Sequence, residues 1–174
     1  MRDLFRNLHL ENNFYNKQPI NIGNITDTIH ENARATWLDS ITRKPKLRTY
    51  ATFKSSFNTE NYVKFCTNRQ DRSLMARTRL GILPIMVEMG HYKNIPTTER
   101  LCESCGELED ELHFLLHCNL YVYQRQELVR KAERGTVSFH SLPDLKNVRI
   151  LCHGMWKDTC SYIREIWKLR TKSL

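Results

Sequence analysis

The residues best able to do chemistry are the cysteines and histidines of Leu101-Cys102-Glu103-Ser104-Cys105-Gly106 and of the following Glu107-Leu108-Glu109-Asp110-Glu111-Leu112-His113-Phe114-Leu115-Leu116-His117-Cys118, which together read C-x2-C-x7-H-x4-C. Two cysteines three apart can turn both sulfurs into one tight loop, and Gly106 lets the backbone leave that loop without a Cβ clash. A second pair of ligands must come from a separate element to close a tetrahedron. Leu112, Phe114, Leu115 and Leu116 surround His113 with apolar side chains, so that element is expected to be a short buried helix carrying His113 as third ligand. The fourth ligand is open on spacing alone. His117 lies one turn on, only about 40° round the helix, whereas Cys118 lies about 140° round and reaches the metal only where the helix unwinds. Asn119, tolerant of a left-handed cap, would supply that bend. A redox C-x-x-C would want a strand and helix setting, and a disulfide a secreted chain. A closed four-ligand zinc site leaves no position for water, so one structural Zn2+ is expected, with local collapse when it is removed. Glu109-Asp110-Glu111 suits the first turn of the ligand helix, where carboxylates meet the positive end of the dipole, better than a separate acidic metal site. Cys66, Cys152 and Cys160 are expected to be buried free thiols.

The elements that must position these ligands are helices. Residues 1–25 are Asn-rich and lack a sustained period, which predicts a loose arm or a truncated end. A cap at Thr26 predicts a helix to about Ile41, with Ile29, Ala33, Trp37 and Ile41 on one stripe, ended by Pro45. Tyr50, Phe53, Phe57, Tyr62 and Phe65 read as core aromatics. Asn68 and Asp71 resemble a capping box, and Gly81 sits where the helix they open would end in the left-handed region. Tyr121 to about Arg134 predicts another helix, with Leu128 and Val129 inward. After Pro143, Trp156, Cys160, Ile163 and Trp167 mark the packing face of a last one. The expected fold is mainly α: a small helical domain cross-braced by one zinc knuckle, with few or no strands. Its expected parts are a basic helical region over 26–98, the zinc motif over 99–121, and helices packing on it over 122–174.

Composition narrows the function. The chain has 174 residues, 40% hydrophobic and 26% charged, which is ordinary for one globular domain. No apolar run approaches the roughly 20 residues of a membrane span, and the polar start Met1-Arg2-Asp3 is no secretory signal, so an intracellular protein is expected. The formal charge is +8, from 27 basic against 19 acidic residues. All of that excess falls in one stretch: Arg43, Lys44, Lys46, Arg48, Lys54, Lys64, Arg69, Arg72, Arg77 and Arg79 face only Glu60 and Asp71. Such a block suggests a polyanion, because counterion release drives basic side chains onto phosphates. Arg69, Arg72 and Arg79 fall within about 80° of helix surface and form a candidate phosphate-tracking stripe.

The run Arg72-Ser73-Leu74-Met75-Ala76-Arg77-Thr78-Arg79-Leu80-Gly81-Ile82-Leu83-Pro84, then Glu99-Arg100-Leu101-Cys102-Glu103-Ser104-Cys105, then Glu109 through Tyr121 resembles the C-terminal region of non-LTR retrotransposon reverse transcriptases of invertebrate type. Lys46-Leu47-Arg48-Thr49-Tyr50 with Phe53-Lys54, and Tyr162-Ile163 with Trp167 and Arg170, extend the similarity over roughly residues 40 to 170. The resemblance implies that Cys102, Cys105, His113 and Cys118 are the zinc ligands. It also implies binding of template RNA or target DNA in support of target-primed reverse transcription, within a retrotransposon ribonucleoprotein. The chain has no Asp-Asp pair for two-metal polymerase chemistry, so a non-catalytic tail is expected, from a truncated element or the end of a longer one. A zinc-stabilised protein-interaction adaptor is the alternative.

Overall fold

The computed structural model describes residues 6, 8, 10–17, 19, 21–44, 47–54, 56–135 and 138–172, without the side chains of residues 14, 48 and 172. Among them are nine α-helices: α1 Glu11–Tyr15, α2 Ile22–Arg43, α3 Arg48–Phe53, α4 Asn61–Phe65, α5 Arg69–Leu80, α6 Met86–Tyr92, α7 Val122–Glu133, α8 Asp144–His153 and α9 Trp156–Lys172. Extended pairing is limited to a single antiparallel bridge between Leu101 and Leu108 among the described residues. The fold is mainly α, as expected. No helix among these residues is long and apolar enough to cross a membrane.

The chain divides into two compact units, Met1–Lys44 and Pro45–Leu174. In the first, α2 opens four residues before the expected Thr26, because Asn21 is the better cap: its side chain accepts the Gly23 N–H at 2.9 Å. The Thr26 hydroxyl instead donates to the Ile22 carbonyl inside the helix. Of the expected stripe, Ile41 is buried and Trp37 half-buried, while Ile29 and Ala33 are exposed. Lys44 is extended, the conformation that a following proline favours. Pro45 itself lies outside the described residues.

The second unit is built round α5 and α9. Asn68 caps α5 by accepting the N–H groups of Gln70 (2.8 Å) and Asp71 (3.4 Å). Gly81 ends it at φ 67°, with Ile82 N–H bonded back to the Arg77 carbonyl. A side chain on Gly81 would meet Thr49 Oγ1 at 2.7 Å and Glu111 Oε1 at 2.9 Å, so both conformation and space require glycine. The Asp71 carboxylate does not complete the capping box; it forms an ion pair with Arg164 of α9. Helix α9 packs on α5, α7 and α8, and α3 packs on α5. Met75, Leu83, Ile85, Phe114, Leu115, Leu151, Ile163 and Ile166 are nearly or wholly inaccessible and form the core between these helices. Cys66, Cys152 and Cys160 are buried free thiols, and burial pushes Cys152 and Cys160 up to about 12.

Two of the expected phosphate-binding cations belong to this interior. Arg79 has 0% exposure, with Nη2 3.0 Å from Glu60 Oε2 and its guanidinium 5.6 Å from the ring centres of both Phe53 and Tyr62. Its Nε and Nη1 have no hydrogen-bond partner among the described residues. Lys54 is also buried; its Nζ donates to the Asn58 carbonyl and lies 2.6 Å from Glu60 Oε1. His153 Nδ1 approaches the same carboxylate at 3.6 Å. Among the described residues, Glu60 is the carboxylate that meets all three of these groups, Arg79, Lys54 and His153. Removing one member of a buried ion pair typically costs about 3–5 kcal/mol, because the remaining charge stays desolvated. Glu60→Gln is therefore expected to lower unfolding stability by about that amount, whereas Arg72→Gln on the exposed surface should shift it by no more than about 0.5 kcal/mol. Urea unfolding of the two variants checks this, and equal midpoints would refute it.

Candidate metal centre

The centre starts from a hairpin too short to count as a sheet. Cys102 N–H bonds to the Glu107 carbonyl at 2.7 Å, Gly106 N–H to the Cys102 carbonyl at 2.8 Å, and Glu109 N–H to the Arg100 carbonyl at 2.9 Å. These bonds fold Cys102 and Cys105 onto one side of the turn. Gly106 escapes at φ 69°, and a Cβ there would touch nothing, so glycine is required by conformation alone. Asp110 then starts the ligand helix by accepting the His113 N–H on Oδ1 at 2.8 Å.

The three carboxylates of Glu109-Asp110-Glu111 divide their work. Asp110 caps the helix, as the helix-start reading expects. Glu109 is 1% exposed; it accepts the Met86 N–H at 2.7 Å and Arg170 Nη2 at 2.9 Å, and its other oxygen pairs with Arg170 Nη1. Glu111 is buried and accepts the Thr49 hydroxyl at 3.3 Å. Glu109 thus acts as an internal strut ahead of the helix, while Glu111 is its first helical residue and is buried against Thr49 as well.

Residues His113–His117 form a π-turn, in which Cys118 N–H bonds to the His113 carbonyl at 2.8 Å. Hydrogen bonding from i to i+5 widens the turn, and the fifth residue returns over the first. This solves the angular problem of Cys118 differently from the expected left-handed cap. Asn119 is not left-handed; Cys118 itself is extended at φ −54°, ψ 125°, and Asn119 opens a short 3-10 turn through Tyr121. The Asn119 N–H is thereby free to donate to Cys105 Sγ at 3.3 Å.

The ligand atoms of Cys102, Cys105, His113 and Cys118 all lie within 4.8 Å of one another, a set that could hold a metal ion. Cys118 Sγ is 3.8 Å from Cys102 Sγ and 3.7 Å from Cys105 Sγ. Cys102, His113 and Cys118 are buried, and Cys105 sits at the rim. His113 Nε2 is buried without a hydrogen-bond partner among the described residues, while Nδ1 lies 3.4 Å from a Glu107 carboxylate oxygen. That is the arrangement of a metal-ligating imidazole, one nitrogen reserved and the other turned to a carboxylate. Burial pushes the Cys118 thiol up to about 12. Burial also acts on Cys105, but the Asn119 N–H and the neighbouring thiols outweigh it and hold that thiol below its ordinary value. His117, the alternative fourth ligand, is not in the set; it is exposed, with Nε2 2.7 Å from Asp144 Oδ2.

Side chains from the C-terminal helices hold the turn. The Tyr162 hydroxyl donates to the Leu115 carbonyl at 3.0 Å, and Arg125 Nη1 to the Cys118 carbonyl at 2.9 Å. Phe114 lies edge-on to Tyr121 and Trp167, at 5.5 and 5.9 Å between ring centres. None of Glu107, Arg125 or Tyr162 was singled out by ligand spacing, since each acts through a hydrogen bond whose partner is set only by the fold.

The basic residues from Arg43 to Arg79 whose side chains are described fall into three groups. Lys54 and Arg79 are interior and are withdrawn from the phosphate-binding set, since a group without surface cannot reach a phosphate. Arg43 pairs with Asp39 at 2.6 Å and, with Lys44, ends the first unit. Lys46 and the side chain of Arg48 lie outside the described residues. Lys64, Arg69, Arg72 and Arg77 are exposed on α4 and α5.

Metal analysis of two variants by native mass spectrometry tests the ligand set. His117→Ala is expected to retain the metal of the parent chain and Cys118→Ser to lose it; the reverse pattern would replace Cys118 by His117. Comparison of the chain with protein-family models, with curated proteins and with solved structures finds no match in any of the three.

Proposed function

We propose that this chain is a zinc-stabilised, non-catalytic module that binds RNA or DNA chiefly through phosphates, as the C-terminal tail of a non-LTR retrotransposon reverse transcriptase. Zinc is favoured by the donor set, three sulfurs and one imidazole nitrogen, and by its dimensions. A tetrahedral centre with metal–sulfur bonds of about 2.3 Å has sulfur–sulfur edges of about 3.8 Å, against 3.8 and 3.7 Å between the thiols here. Four protein ligands leave no open coordination position, so the metal's part is to hold the hairpin to the π-turn. Of the positions that carry the resemblance to the retrotransposon tail, Cys102, Cys105, His113 and Cys118 make up this cluster, and Phe114, Tyr121, Tyr162 and Trp167 pack or hydrogen-bond around it.

The observation that carries nucleic-acid binding is the exposed set Lys64, Arg69, Arg72 and Arg77, which has no carboxylate partner among the described residues. Arg69 and Arg72 stand in the first turn of α5, where the helix dipole disfavours cations by a few tenths of a kcal/mol each. The fold gains nothing from charge there, whereas a phosphate does. Contacts of this kind position a backbone and read little sequence.

Two measurements test the reading. Replacing Arg69, Arg72 and Arg77 together by Gln is expected to weaken binding and to reduce the slope of log K against log salt by about 2 to 3. Affinity indifferent to salt would sink the proposal. Chelation is expected to release about one zinc per chain with loss of helical circular dichroism; full helicity in the metal-free chain would refute a structural role.

A further inference from the structure

Between α5 and α9 runs a groove of about 640 Å³. Its floor is apolar, made by Leu74, Leu83, Ile163 and Trp167. Its rim carries Arg69 and Arg77 from α5 and Arg164 and Lys168 from α9, and no carboxylate lines it. Arg164 is matched by Asp71. Arg69, Arg77 and Lys168 have no carboxylate partner among the described residues.

An oily floor inside a cationic rim suits an occupant that is apolar at its centre and anionic at its edges. The volume lies in the range of small-ligand pockets. One extruded nucleotide meets both requirements. Trp167 is half-buried and already oriented, edge-on to Phe114 at 65° with the Arg170 guanidinium 5.8 Å from its ring centre. A stacking platform fixed in advance loses little entropy when a base arrives. Arg69 and Arg77 stand two turns apart, about 12 Å along the helix, and can hold backbone on either side of the inserted base. A duplex keeps its base faces within the stack, and opening it costs energy that a single strand does not spend.

We infer that this groove takes an unstacked base of a single-stranded nucleic acid against Trp167, with Arg69, Arg77 and Lys168 on the flanking phosphates. The inference rests on the nucleic-acid reading above and narrows it from any polyanion to single strands.

Fluorescence anisotropy of the full zinc-loaded chain with a short labelled single strand, and with the same sequence as a duplex, tests this. At one salt concentration the strand is expected to bind about 5- to 150-fold more tightly, the range of one stacked base. Trp167→Leu should abolish that preference with the salt slope unchanged, and Trp167→Phe should restore most of it. Because Trp167 also packs on Phe114, circular dichroism and zinc content establish that the leucine variant is folded. Ser73→Glu, an exposed position on the groove, provides a second route: it should weaken strand binding more than duplex binding. Equal affinity for strand and duplex, unmoved by either variant, overturns the groove assignment and leaves phosphate binding standing. No salt-dependent binding to either overturns the reading beneath it. An acidic peptide retained by the chain and released by Ser73→Glu overturns it in favour of a protein partner.

Discussion

A histidine and a cysteine five residues apart bring their donor atoms within 4.8 Å of each other and of two further cysteine sulfurs, and several contacts of the second unit hold them there. In an α-helix the two side chains diverge by about 140°. The π-turn over His113–His117 removes that divergence. A widened turn packs less regularly than an α-helix and depends on its surroundings. Here the surroundings are specific. Tyr162 holds the Leu115 carbonyl, Arg125 the Cys118 carbonyl, and Phe114 is gripped between two aromatic rings. The hairpin supplies the other two sulfurs and is itself tied to α9 through Glu109 and Arg170. The cluster that could hold a metal ion and the packing of the helices thus share one set of contacts.

The charge of the chain has a similar double aspect. Part of the basic excess is interior, where Arg79 and Lys54 share Glu60 between aromatic rings. A buried ion pair adds little net stability compared with apolar packing of the same volume, although removing one partner is costly. What remains on α4 and α5 is a smaller set of exposed cations with no carboxylate partner among the described residues, and two of them, Arg69 and Arg77, line the groove that Trp167 also lines. Seen this way, +8 overstates the attraction available to a polyanion, and the residues that supply it are fewer than the sequence suggests.

That Cys102, Cys105, His113 and Cys118 lie together was legible because metal chemistry restricts residue types and spacing within a short stretch, although spacing alone left His117 as an alternative to Cys118. Gly81 and Gly106 were legible for the same local reason: each stands where the backbone turns left-handed. Arg79 was not. On a helical wheel it lies within about 20° of Arg72, yet Arg72 is exposed while Arg79 is wholly enclosed. The difference is position along α5, since Phe53 and Tyr62 cover the Arg79 end, and no helical angle encodes which end a neighbour covers. Asn119 failed as a bend because i to i+5 bonding achieved the same displacement without a left-handed residue. The groove was hidden likewise: Trp167 carries the spacing of a packing residue, and only its half-buried position between two helices distinguishes it.

The order of residues along the chain gives the Tyr162 hydrogen bond a meaning in time. All four residues have left the ribosome once Cys118 emerges, but the hydroxyl that supports their turn and the guanidinium that anchors their hairpin belong to α9, made later. Throughout that interval the nascent thiols lack the contacts that later enclose them. A chain terminated before Tyr162 would keep all four residues of the cluster yet lack both of these supports.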